Sequence, residues 1–437
     1  MSIYLNTIFL LLYFLYSYYF FASLKGKSIL FFLLYFNQFW LIISSYTLDF
    51  GGIYHYELNF VSMPSLSTLF LIVSNILFFQ TLLISFKKKK VLLSGQYGIN
   101  NFYIKIIAFV TTVIIAMLYL SIIKTGIPVL SSVDRATVYQ ELLQIPFLGF
   151  IVTHINSLIM FIGLAYSIKV NKNEKNYIFL ILFLLLFLYL ILIGNKYSAL
   201  ILFLVYFLVP IVMTTNRSFV SGKNLIYIGV IFLFIVLGTS LLHAQKYSYI
   251  NNIGGGLLGD YLFQRIFVLQ GGIWHKTFDL IVYQGQYDLN HFFVEVKNIL
   301  GLQSSKYTGL KHLMVFTTKG DFIFKVIRGE YLYTGGFPAI LLATFNWMLY
   351  FPVFYLLARF YVFIINNLYR AVVSKNMLIL YISFGLYISY NTMLITGDFD
   401  SFFSIATLVK MIILFFLIYS VPFISKVRFR RLSKNVF

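Results

Sequence analysis

The stretch "RGEYLYTGGFP", Arg328 to Pro338, sets Arg328 and Glu330 directly ahead of a long apolar run. A carboxylate partly desolvated at a membrane rim has its pKa raised toward the range in which it takes a proton from a hydroxyl. The competing reading is an ion pair with Arg328 or a neighbouring lysine. Gly335 and Gly336 permit a close backbone approach, and Pro338 stands near the first position of a helix. Arg135 and Arg265 are two further arginines in connecting segments. A guanidinium presents a rigid donor fork that matches phosphate oxygens, so three of them converging beside membrane helices would clamp a lipid-linked phosphate or pyrophosphate. Taken singly, each reads first as a salt bridge or a headgroup contact, and the clamp depends on their converging.

Other charged residues stand at similar places. Lys196, in "LIGNKYSALILF", occupies a tight turn where helix ends and a cation meet, which suits an anion or serves topology alone. "TGDFDSF" contributes Asp398 and Asp400, a spacing that holds a divalent cation in nucleotide-sugar transferases but matches often by chance, so no metal is expected. Lys410 follows about ten residues later, about 15 Å deeper along a helix. Charge at that depth is expensive and faces a cavity or a partner. His275 and His312 are candidate bases, with polar surface as the alternative. The six histidines lack the spacing of a zinc site, and no phosphate-binding GxxxxGK[ST] loop appears. No cofactor is expected.

The elements that must position these residues are membrane helices. Of the 437 residues 60% are hydrophobic and 11% charged, with a mean hydropathy of +0.89, against about 25% charged in a soluble domain. Apolar runs near the roughly 20 residues of a helical span recur throughout, which excludes a barrel of alternating segments. With no cysteine, disulfides and thiolate-held metals are excluded. The reading is an all-α polytopic protein with spans at 3–22, 28–48, 66–86, 103–123, 146–168, 177–193, 198–213, 224–242, 336–358, 376–396 and 401–424. These eleven spans place the termini on opposite faces. Of the net charge of +20, all but the unit from Lys410 falls on one alternating set of connections, while the other set nets to zero. The positive-inside rule makes the basic face cytoplasmic, with the N-terminus outside and the basic C-terminal tail inside. Of 13 acidic residues only Glu174 lies on that face. The basicity is read as topology and attraction to anionic membrane lipids, and nucleic acid is not an expected partner.

The organisation is then an N-terminal helical region over 1–242, an outer loop over 243–335, and a C-terminal region over 336–437 with three spans and the tail. The loop is too long to be structureless. Leu289, Phe292, Phe293, Val296, Ile299 and Leu300 recur at helical spacing, predicting an amphipathic helix on the membrane or over a cavity. A second such helix is predicted from Leu257 to Leu269, with Arg265 on its polar side.

In order, "LSSVDRATVYQ", "GNKYSA", an arginine-bearing outer loop, "GEYLYTGGFP" and "TGDFDSF" resemble the bacterial O-antigen and related oligosaccharide repeat-unit polymerases, the Wzy type, over roughly 125–410. The resemblance implies an inner-membrane glycosyltransferase joining glycan repeats carried on undecaprenyl pyrophosphate at the periplasmic face, with a chain-length regulator protein as partner. It places Arg135 at the arginine following the fourth or fifth span, Glu330 with Gly335 at a Glu-aromatic-Gly segment, and Arg265 more loosely at a loop arginine. Lys196 and Thr396 stand where many members have arginine, and the Arg-x10-Gly loop motif of some polymerases is missing. The resulting expectation is a metal-independent polymerase in which Arg135, Arg265, Arg328 and Lys196 hold the pyrophosphate and Glu330 takes the acceptor proton, with Asp398 and Lys410 in the substrate cavity. An O-antigen ligase, or a flippase or transporter of lipid-linked sugar, is the alternative. The absence of sequence repeats counts against transporters built from similar halves.

Overall fold

The computed structural model describes residues 2–55, 58–88, 101–130, 138, 140, 155–171, 177–195, 197–215, 230, 238, 259–260, 263–286, 293–294, 297, 302, 309–318, 322–327, 336–397 and 399–417. The chain is an all-α membrane protein. Among the described residues, five helical runs are long and apolar enough to cross a membrane: Ser2–Leu48, Ser67–Phe86, Phe102–Thr125, Ala339–Ser374 and Met377–Thr396.

The first run folds back on itself. α1 (Ser2–Leu24) and α2 (Ile29–Leu48) are joined by a 3-10 turn, Lys25–Ser28, where Lys25 adopts a left-handed φ of 50°. The arms pair antiparallel: Tyr13 stacks on Tyr35 with ring centroids 5.7 Å apart, the Ser17 and Tyr35 hydroxyls are hydrogen-bonded, and those of Thr7 and Tyr46 lie 2.9 Å apart. Each arm is about 30 Å long, so the hairpin has an Asn6/Asp49 end and a Lys27 end separated by about one hydrocarbon thickness. Between α2 and α3 (Ser67–Lys88) a short antiparallel hairpin forms, β1 (Tyr54–His55) with β2 (Phe60–Val61), pairing Tyr54 with Val61 and His55 with Phe60.

α4 (Asn101–Thr125), α5 (Ile155–Asn171), α6 (Ile178–Leu192) and α7 (Tyr197–Thr215) follow at four of the expected spans. Tyr119 Oη reaches from α4 to the Leu185 carbonyl on α6 at 2.9 Å, and Phe183 on α6 stacks on Phe207 of α7 at 4.1 Å. The expected span at 224–242 lies outside the described residues apart from Val230 and Gly238, as does the predicted amphipathic helix at 289–300 apart from Phe293, Val294 and Lys297.

Of the helix predicted from Leu257 to Leu269, residues 259–260 and 263–269 are described, with Phe263 and Phe267 exposed. A π-helical stretch, Gln264–Val268, continues into α8 (Leu269–Phe278) and a second π-helical stretch, Asp279–Tyr283, and nearly every residue of α8 is buried. It runs alongside the last three turns of α2: Trp40 Nε1 donates to the Ile266 carbonyl at 2.6 Å and Gly271 N to Ser44 Oγ at 2.7 Å. Gly271 and Gly272 make the approach possible. A Cβ on Gly271 would meet the Ser45 backbone nitrogen at 2.4 Å, and one on Gly272 the His55 ring at 2.0 Å. Because Gly271 abuts backbone that cannot rotate away, Gly271→Ala is expected to cost about 1–3 kcal/mol by overpacking. A fluorescence-detected unfolding midpoint equal to wild type would refute this contact.

α9 (Gly309–Thr317) and α10 (Phe322–Ile327) precede α11 (Ala339–Ser374), α12 (Met377–Thr396) and α13 (Ile405–Leu417). Where a span of 336–358 and a connection are expected, helix continues to Ser374, since "YVFIINNLY" buries most of its apolar residues and Arg359 and Arg370 are the only charged residues of the helix before Ser374. α11 is kinked at Asn346, whose φ is 55° and whose Oδ1 accepts from Trp347 N at 2.6 Å. Three buried tyrosines link α11, α12 and α2 through their hydroxyls. Tyr361 donates to Asn391 Oδ1 at 2.7 Å, Tyr390 to the Leu357 carbonyl at 2.8 Å, and Tyr387 to the Leu30 carbonyl on α2 at 2.7 Å.

Candidate functional site

The first N–H groups of a helix have no partner inside it. At α3 they are met by side chains from three elements. Ser67 N donates to Ser65 Oγ at 3.2 Å, Thr68 N to Asp49 Oδ2 at 2.9 Å, and Leu69 N to Asn6 Oδ1 at 3.1 Å. A carboxylate here also complements the positive end of the helix dipole. Asp49, 1% exposed, accepts further from Asn6 Nδ2 at 2.9 Å, Ser65 Oγ at 2.5 Å and Ser67 Oγ at 2.8 Å.

His275 of α8 completes this cluster. Its Nδ1 stands 3.0 Å from Asp49 Oδ1 and 3.3 Å from Ser67 Oγ, and the ring is 3% exposed. The sequence left His275 open as polar surface; the structure buries it, because α8 packs inside the bundle. With Nδ1 engaged, Nε2 is the remaining ring nitrogen. A histidine oriented through Nδ1 by a buried carboxylate is the geometry of a positioned acid or base. Beside it Lys276 Nζ contacts Asp279 Oδ2 at 2.9 Å and lies 5.6 Å from the Phe60 ring. Phe60 is sandwiched between His55 and His275, with centroids 5.3 and 6.1 Å away. The cluster therefore holds two carboxylates, two imidazoles and an ammonium within one region. Among the described residues no three His, Asp or Glu side chains meet as metal ligands.

His55, in the β-hairpin, accepts from Leu58 N through Nδ1 at 3.1 Å. Burial pushes its pKa down from 6.5 to about 4. The folded protein thus keeps His55 neutral where the unfolded chain takes a proton. The associated stability is complete above pH 6.5 and lost as the pH falls to about 4, a total of about 3 kcal/mol. Unfolding midpoints of wild type and His55→Asn should converge by roughly that amount between pH 7 and pH 4.5, the variant removing this titration from that of the carboxylates. Parallel curves would exclude it.

Of the residues singled out in the sequence, Arg135, Lys196, Arg328, Glu330 and Asp398 lie outside the described residues, and Arg265 is described by its backbone alone, in the first π-helical stretch. Lys410, on α13, is half-buried and faces α12. A Cβ built on Gly385 would lie 3.3 Å from its Nζ, so the missing side chain leaves room for the ammonium. Among the described residues it makes no ion pair. Spacing could not have revealed the Asp49 cluster, whose members Asp49 and His275 are 226 positions apart. The available signal was the rarity of acidic residues next to a span end.

Residues 303–411 match a family of unknown function (DUF6418), a stretch that takes in α9 to α12, Arg328, Glu330, Asp398 and Lys410. No curated protein and no solved structure matches the chain.

Proposed function

We propose that the chain is a Wzy-type polymerase of lipid-linked oligosaccharide repeat units, a metal-independent glycosyltransferase with eleven spans in the bacterial cytoplasmic membrane, its N-terminus and the 243–335 segment outside. The acceptor sugar hydroxyl attacks the anomeric carbon of the donor glycan. The bond from that carbon to undecaprenyl pyrophosphate breaks, and the hydroxyl proton passes to Glu330. Arg135, Arg265, Arg328 and Lys196 stabilise the charge growing on the departing pyrophosphate, with Asp398 and Lys410 lining the substrate cavity. The donor is already activated, so no nucleotide is consumed.

The observation that supports this reading is the buried Asp49–His275 contact at the Asp49 end of the bundle, beside the partly buried Lys276–Asp279 pair. That end is remote from the Lys25–Lys27 turn, and the charge asymmetry of the sequence assigns it to the outside. A protein that only spanned the membrane would have no need of ionisable groups inside its packed interior, where they are costly.

The test is reconstitution in proteoliposomes with a defined undecaprenyl-pyrophosphate-linked repeat unit. Dimers and longer products with release of undecaprenyl pyrophosphate are expected; unchanged monomer would end the assignment. Glycan length in a deletion strain separates the ligase alternative: single repeats attached to lipid indicate a missing polymerase, and unattached long chains a missing ligase.

A further inference from the structure

At the opposite end of the bundle, α11 presents polar residues that the packing leaves unanswered. Asn366, Asn367 and Arg370 form one patch, since Arg370 is one turn from both asparagines and lies angularly between them. Asn366 and Asn367 are each 3% exposed. Asn366 Nδ2 and Oδ1, Asn367 Nδ2 and Arg370 Nε are buried without a hydrogen-bond partner among the described residues. Lys27, from the turn between α1 and α2, borders the patch with its Nζ 4.6 Å from the centre of the Tyr369 ring and 5.6 Å from that of Phe86. Arg359, on the same stripe of α11, donates to Ser85 Oγ at 2.9 Å. None of these three cations meets a carboxylate among the described residues.

Three buried unpaired N–H donors beside cations, with Asn366 Oδ1 as a single unpaired acceptor, suit an oxygen-rich anion that also carries a hydroxyl. The guanidinium fork matches phosphate. Arg370 and Asn366 lie about 6 and 12 Å along α11 from its end at Ser374, a depth that a headgroup and its glycerol reach. We propose that Asn366, Asn367 and Arg370, flanked by Lys27, bind the phosphate of an anionic glycerophospholipid. Asn366 Oδ1, the one buried acceptor, receives a headgroup hydroxyl. A glycerol headgroup supplies one and a phosphocholine does not, so phosphatidylglycerol is preferred. The basic charge of this end places the site in the cytoplasmic leaflet, where anionic lipid gathers. The site lies about one membrane thickness from Asp49 and does not depend on the proposed glycosyl transfer.

The experiment is thermal unfolding of the detergent-purified full chain with phosphatidylglycerol, phosphatidylcholine or sodium phosphate added. A saturable upward shift with phosphatidylglycerol alone is expected. In Arg370→Met and Asn366→Leu the half-saturating concentration should rise at least about tenfold, while Lys375→Gln, which removes one charge at the same end, keeps the response. An equal shift from sodium phosphate or phosphatidylcholine, or an equal loss in Lys375→Gln, would overturn the proposal. Should the patch variants fail to fold, native mass spectrometry of the wild type decides: retained lipid enriched in phosphatidylglycerol over the source membrane supports the site, and no enrichment overturns it.

Discussion

Asp49→Ala is expected to lower the stability of the folded chain by about 3–5 kcal/mol, the scale of removing a buried carboxylate and leaving several of its donors unpaired. The size follows from what the carboxylate holds. It accepts from Asn6, Ser65, Ser67 and the Thr68 backbone, and it pairs with His275. Truncation leaves those donors buried with nothing to accept from them, and it uncaps the first turn of α3. Membrane packing supplies little compensation, because water cannot enter to solvate the orphaned groups. Against a total stability of about 5–15 kcal/mol, such a loss should be visible as reduced monodisperse yield and a clearly lower unfolding midpoint. Asp49→Asn should sit between wild type and alanine, since it keeps one carbonyl acceptor but points an amide at donors already present. An alanine variant with the wild-type midpoint would show that the cluster does not hold α1, α2, α3 and α8 together.

The contrast between α2 and α8 shows what the sequence could reveal. The α1–α2 hairpin was legible because two apolar runs of membrane length flank Lys25 and Lys27, and lipid solvent makes length and charge nearly sufficient to define a helix. α8 was not legible in the same way. "LQGGIWHKTF" mixes two glycines, a histidine and a lysine, and by composition it reads as surface. Its burial depends on Gly271 admitting the backbone of Ser44 and Ser45, and on His275 finding Asp49, facts of tertiary contact that no local period encodes. The continuation of α11 to Ser374 was hidden for a related reason: Arg359 marks the end of a span by the charge rule, yet its side chain hydrogen-bonds to Ser85 and lets the helix run on. Lys410, by contrast, was conspicuous as a lone cation in an apolar run, and the space above Gly385 accommodates it.

Glu330→Gln is expected to slow polymerisation by about 10²- to 10⁴-fold, the contribution of a positioned general base. The amide matches the carboxylate in shape and still accepts a hydrogen bond, so donor binding should persist while the proton of the attacking hydroxyl loses its destination. The loss should appear in the rate at saturating lipid-linked substrate rather than in its half-saturating concentration. His275 offers a rival destination, since Asp49 fixes its ring through Nδ1 and leaves Nε2 as the remaining nitrogen. The two roles separate experimentally. With Glu330 as base, His275→Gln lowers the unfolding midpoint but leaves the rate per folded molecule within about tenfold of wild type, below the span a base contributes. A Glu330→Gln protein that polymerises at the wild-type rate, beside a folded His275→Gln protein that does not, would transfer the role to His275 and move the reacting hydroxyl to the Asp49 cluster.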